Sequence, residues 1–87
     1  MKKMKNKILI KLYVPTLDFE YEIFIPTNEI IKKVVDLIVK SVDELCDDAL
    51  PDDTPYYLFD PETSQIYANA SVVRDTNIIN DKKIILI

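Results

Sequence analysis

From Lys7 to Val14 the chain alternates, with Ile8, Ile10, Leu12 and Val14 on one side and Lys7, Leu9, Lys11 and Tyr13 on the other. That period of two predicts a strand with one buried face. A short connection, Pro15 to Asp18, leads into a second alternation in which Phe19, Tyr21, Ile23 and Ile25 share a side opposite Glu20, Glu22 and Phe24. Two such runs joined by a short link predict a hairpin. Pro26 ends the second run and the period changes: Ile30, Val34, Leu37, Ile38, Val42 and Leu45 recur at spacings of three and four. This predicts an amphipathic helix from Ile30 to about Cys46, with Thr27 or Asn28 as its cap and Glu29 in its first turn. Lys32, Lys33, Asp36, Lys40, Asp43 and Glu44 gather on its other side, with Glu29–Lys33 and Asp36–Lys40 at ion-pair spacing.

An acidic segment with two prolines, CDDALPDDTP, separates the helix from a short aromatic strand, Tyr56 to Phe59. Asp60-Pro61-Glu62-Thr63 is turn chemistry, QIYA from Gln65 predicts another short strand, and Asn80-Asp81 predicts a turn before a last strand, Lys83 to Ile87. The expected order is ββαββ(β): an α+β fold with a mixed four- to five-stranded sheet packed on one long helix, which is the β-grasp arrangement. Residues 7–87 form this single domain, preceded by a flexible basic extension at 1–6.

Composition narrows the chemistry. Of 87 residues 48% are hydrophobic and 30% charged, as in a foldable globular domain, and the net charge of -4 repels a phosphate backbone, so nucleic acid is not an expected partner. No run reaches the eighteen or so apolar residues of a membrane span and no signal-peptide core follows MKKMKNK, so a cytoplasmic protein without direct membrane insertion is expected. The single cysteine, Cys46, agrees with a reducing compartment. With no histidine to activate it and a place on the flank of the helix, a packed structural thiol is its simpler role. There is also no glycine, where average composition predicts about six, so no phosphate-cradling loop can be written and no cofactor is expected. Left-handed turns must then use Asn69, Asn77, Asn80 or Asp81.

Two stretches carry a family likeness. Asp75-Thr76-Asn77-Ile78-Ile79-Asn80-Asp81, followed by Lys82, Lys83 and IILI, resembles the closing segment of ubiquitin. YEIFIPTNEIIKKVVDLI and DTNIINDKKIILI together resemble the small ubiquitin-like proteins of the YukD/EsaB type, found with bacterial type VII (WXG-protein) secretion systems. This sequence has Ile30 where that family commonly has a proline, and lacks its glycine in the last turn. The resemblance implies a non-catalytic, ubiquitin-like protein-interaction module, a cytoplasmic accessory or regulator whose partner belongs to membrane-embedded secretion machinery. Ubiquitin and the sulfur carriers that share its fold resemble one another in a reactive Gly-Gly tail. The ending at Ile87 without glycine leads us to expect no conjugation or sulfur transfer by that route. A carrier or modifier role and a place as a β-grasp subunit of another assembly are the alternatives.

Alternation also points to surfaces. If Ile84 and Leu86 face inward, Ile85 and Ile87 face outward, joined by Tyr57, Leu9 and Phe24 as an apolar patch on the open sheet face. Asp43, Glu44, Asp47 and Asp48 crowd the helix C-terminus against its dipole, a local conflict that can mark a second, acidic docking patch. With Asp52 and Asp53 this group contains enough carboxylates for calcium but lacks the pattern of an EF-hand loop, so a solvated loop without metal is the simpler account. The helix's apolar arc of about 200° exceeds the roughly 100° that one sheet face needs, which leaves a weak homo-oligomer open.

Overall fold

A computed structural model describes residues 6–47, 50 and 55–87. Five strands, β1 (Lys7–Val14), β2 (Phe19–Pro26), β3 (Leu58–Asp60), β4 (Gln65–Ile66) and β5 (Lys83–Leu86), form one sheet in the order β2-β1-β5-β3-β4. β1 and β5 run parallel at its centre and the other pairings are antiparallel. The one α-helix among the described residues, α1 (Ile31–Leu45), lies across one face, so the architecture is the β-grasp that the alternations predict.

The inward residues of the hairpin and the last strand meet those of the helix. Ile10, Leu12 and Val14 from β1, Ile25, Leu58, Ile84 and Leu86 from the other strands, and Ile31, Val34, Val35, Ile38 and Val42 from α1 are all buried. Phe19, Tyr21 and Ile23 pack against this core while remaining partly exposed, because β2 lies at the edge of the sheet, and Ile8, near the start of β1, is partly exposed as well.

The helix departs from its expected frame. It begins at Ile31, and neither Thr27 nor Asn28 caps it; Ile30 holds the cap position without a side-chain bond, and no acidic residue lies in the first turn. The free N–H groups of Ile31 and Lys32 donate instead to the carbonyls of Ser71 (2.8 Å) and Asn69 (3.0 Å). A returning segment supplies the cap because it is held there: Ile30 bridges Val72, and Val73 and Arg74 donate to Glu29 and Thr27. The buried stripe is rotated as well, since Ile31, Val34, Val35, Ile38 and Val42 span only about 100° of the helix. One sheet face covers no more than that, so Leu37, outside the arc, remains 51% exposed; Leu45 falls within the arc but is the last residue of the helix, and is 60% exposed. Among the described residues the helix ion pair is Lys32–Asp36 at 3.4 Å rather than either expected pair.

Two strands are shorter than expected. β3 starts at Leu58, although Tyr57 and Ile87 exchange both backbone hydrogen bonds at 2.9 Å, and β4 is only Gln65–Ile66. Left-handed backbone occurs at Asp18, Asp47, Ser64 and Asp81, so of the four expected positions only Asp81 has it. Asn77 and Asn80 are used for their side chains. Asn80 Oδ1 accepts the Leu9 N–H at 2.9 Å, and Asn77 Nδ2 donates to Asp60 Oδ2 at 2.8 Å.

Candidate functional site

The face of the sheet opposite α1 carries the candidate residues. Paired residues share a face, so the register Leu9↔Phe24, Lys11↔Glu22, Tyr13↔Glu20 lays out the hairpin, and Tyr13↔Ile85 with Phe59↔Ile85 continues it to β5 and β3. Ile84 and Leu86 are buried while Ile85 is half-buried and Ile87 exposed, as the alternation predicts.

The five candidate residues fall into two groups on this face. Leu9 and Phe24 stand side by side at one end. Ile85 aligns with Tyr13, four residues further along β1, or about 13 Å at a strand's rise. Glu22, Lys11 and Lys83 form a charged row between the two groups. Tyr57 and Ile87 are hydrogen-bonded neighbours beyond Ile85. Ile85 has two further apolar neighbours that the sequence reading passed over: Phe59 beside it, and Ile66 paired to Phe59 and 54% exposed. Their signal was present, since the alternation that turns Tyr57 outward also turns Phe59 outward. The sheet thus assembles Tyr13, Ile85, Phe59 and Ile66 across four strands, with Tyr57 and Ile87 at one end.

The acidic patch is only partly free. Asp43 Oδ1 accepts the Leu50 N–H at 3.2 Å, tying the following loop to the helix, and Leu50 is buried. Asp47 follows the C-cap, Cys46, in the left-handed region (φ 56°), a position at which Asp is better tolerated than most residues with a Cβ. Both acidic residues therefore have local reasons to sit against the helix dipole. Glu44 is exposed, while Asp48, Asp52 and Asp53 lie outside the described residues, as do residues 1–5 of the expected extension. Among the described residues no group of three or more acidic or cysteine side chains is placed to hold a metal ion. Cys46 is half-buried and packs against the core.

One cluster had no counterpart in the sequence reading. Lys82 and Asp60 are both buried, with Lys82 Nζ 3.1 Å from Asp60 Oδ1 and 2.6 Å from Glu62 Oε1. Asp60 also accepts the Glu62 N–H at 2.9 Å, and Tyr67 donates its hydroxyl to Asn77 Oδ1 at 2.6 Å. The Asn77 amide, then the Glu62 N–H and the Lys82 ammonium, hold the Asp60 carboxyl well below the usual carboxylate range despite burial. Glu62 raises Lys82, while burial and then the Asp60 charge push the Tyr67 phenol up. Every charge here has a partner, so the cluster ties the 60–67 turn to the start of β5. Asp60 and Lys82 are far apart in sequence, and no local pattern marks them as neighbours.

Comparison with known proteins agrees with the geometry. No protein-family model matches the chain, and no curated protein does. Solved structures do match. The chain superposes on the EccD5 ubiquitin-like domain from Mycobacterium xenopi with a TM-score of 0.78 over 92% of this chain and 91% of that one, at 9% identity. On the ubiquitin-like domain of the Mycobacterium tuberculosis type VII secretion protein EccD1 the TM-score is 0.72 over 93% and 97%, at 12% identity. A chain of the MycP5-free ESX-5 inner membrane complex matches with a TM-score of 0.75 at 8% identity; this protein covers 93% of itself but only 20% of that chain. The fold is therefore that of the ubiquitin-like β-grasp domains. Among the proteins that share it are the EccD domains of type VII secretion systems. Among the described residues no helix is long and apolar enough to cross a membrane.

Proposed function

We propose that this protein is a non-catalytic, ubiquitin-like interaction module of the YukD/EsaB kind, serving as a cytoplasmic accessory of a bacterial type VII secretion apparatus. The observation that carries the reading is the apolar cluster Tyr13–Ile85–Phe59–Ile66, continued by Tyr57 and Ile87, on the sheet face that no helix covers among the described residues. A cluster of this kind, rimmed by Lys11, Glu20 and Lys83, has the composition of a protein-docking surface. The likeness to EccD domains supports the secretion context, and the mechanism is recognition: the cluster packs on a component of the membrane-embedded machine.

The test is co-purification with detergent-solubilised type VII apparatus, scored for its FtsK-like ATPase. Ile85→Asp and Ile87→Asp leave the circular dichroism spectrum unchanged and weaken capture by about tenfold or more, as expected for a buried apolar anchor. Capture unchanged in both variants removes the outer sheet face as the site; a wild-type protein that captures no component of the apparatus removes the secretion reading.

A further inference from the structure

We infer a second docking surface, beyond the one just described: the open edge of β2 takes an extended segment of a partner protein as an added strand, one that alternates apolar and basic side chains. The hydrogen-bond pattern shows which groups face that edge. In β1, the N–H groups of Leu9 and Lys11 go to the β5 side, to Asn80 Oδ1 at 2.9 Å and to the Lys82 carbonyl at 2.9 Å. The alternate residues Ile8, Ile10, Leu12 and Val14 are left to bond to β2, and the Thr27 N–H donating to Asn6 at 2.7 Å sets the same phase. Hydrogen bonding alternates along an antiparallel pair, so Phe19, Tyr21, Ile23 and Ile25 bond to β1, and Glu20, Glu22 and Phe24 point their N–H and C=O groups outward. Among the described residues no strand meets them. Pro26, with no N–H, ends the row of donors.

The two sides of this edge set the partner's chemistry. On the helix side, the Tyr21 hydroxyl is buried toward Ser41 without a well-formed hydrogen bond, and Leu37, one turn earlier on α1, is half exposed. A groove of about 410 Å³ with a mostly apolar surface lies here, lined by Pro26 and Leu37 together with Glu29, Lys33, Asp36 and Lys40. Every second side chain of an added strand would turn toward this apolar side. On the outer side the added strand's other side chains would stand beside Glu20 and Glu22, both exposed. Opposite charges across a strand pair stabilise and like charges oppose. A second copy adding through its own β2 would bring its Glu20 and Glu22 against these two, the like-charge arrangement that protects edges from self-pairing. The fitting occupant is therefore a basic-apolar strand from another protein.

The probe is an acetylated, amidated octapeptide of alternating valine and lysine, added to the ¹⁵N-labelled full chain. Amide shifts are expected at Glu20, Glu22 and Phe24 and along Leu37 to Ser41. Glu22→Pro removes an outward N–H without removing a bond to β1 and is expected to abolish binding. In case proline perturbs the fold, the double variant Glu20→Lys, Glu22→Lys is expected to weaken the peptide by about fivefold or more and to bind the valine–glutamate peptide instead. Ile85→Asp is expected to leave peptide binding intact, so this surface and the proposed function fail separately. Unchanged binding by Glu22→Pro, equal binding of the valine–glutamate peptide to the wild type, or shifts confined to the outer sheet face would each overturn the inference. β2 shifts that follow protein concentration without peptide would also overturn it, by assigning the edge to a second copy.

Discussion

Ser64 tests how a chain without glycine makes its turns. Its φ of 59° lies in the left-handed region, and its N–H closes the 60–64 turn on the Asp60 carbonyl at 2.8 Å. For a residue with a Cβ that conformation costs about 1–2 kcal/mol, which Ser64→Gly removes while keeping the hydrogen bond. Against this, glycine gives the unfolded chain more freedom, worth about 0.4–1 kcal/mol. The Ser64 side chain is exposed, so its removal subtracts little more. The net expectation is a gain of about 0.5–1 kcal/mol. In a domain of this size that raises the midpoint of thermal unfolding by about 2–8 °C, and it moves the urea midpoint at constant m-value. Ser64→Ala keeps the Cβ and is the control, expected to match the wild type; Ser64→Val, β-branched at the same φ, is expected to lose stability. Ser64→Gly no more stable than Ser64→Ala would refute the assignment of strain to this position.

Two further perturbations examine the core and the buried charges. Ile38 lies at the centre of the helix's buried stripe, so Ile38→Val should cost about 0.5–1.5 kcal/mol and Ile38→Ala about 2–5, read from denaturant midpoints; equal small losses would mean that the site collapses freely. Asp60 is held below its ordinary value, so its contribution is fully present above about pH 3.9, the unfolded value, and is lost as pH falls from there toward its folded value, where the unfolded chain binds more protons. Asp60→Asn should therefore flatten the acid limb of stability against pH below that point and lower stability at neutral pH, where the Lys82 ammonium stays buried without its closest buried carboxylate; an acid limb of unchanged slope would refute the pairing.

Much of the fold is legible because alternation and helical spacing are local consequences of burial. Ile10, Leu12 and Val14 on β1 and Ile84 and Leu86 on β5 announce their inward side by period alone, and the same period turns Ile85 and Ile87 outward. The helix shows where periodicity stops being enough. Leu37 repeats with Ile30 and Val34 as regularly as Val35 does with Ile31 and Ile38, and only the width of the sheet face decides that Val35 is covered and Leu37 is not. The cap of the helix escapes local reading for a related reason, since Asn69 and Ser71 supply it from nearly forty residues away and no local motif encodes that.

The candidate site divides along the same line. Outward residues on each strand follow from the chain's own alternation, but which of them become neighbours depends on strand order and register. The pairings Tyr13↔Ile85 and Ile85↔Phe59 assemble one cluster, and the charged row through Lys11 sets Leu9 and Phe24 apart from it. The Asp60–Lys82 pair and the open edge of β2 are likewise invisible before the sheet is assembled. By itself the sequence determined which side of each strand faces the core, that one helix spans the sheet, and that no histidine or glycine chemistry is available. Tertiary structure alone decided which surfaces are contiguous, which charges are buried together and which edge is left unpaired, because each of these depends on distances between residues that only long-range pairing brings near.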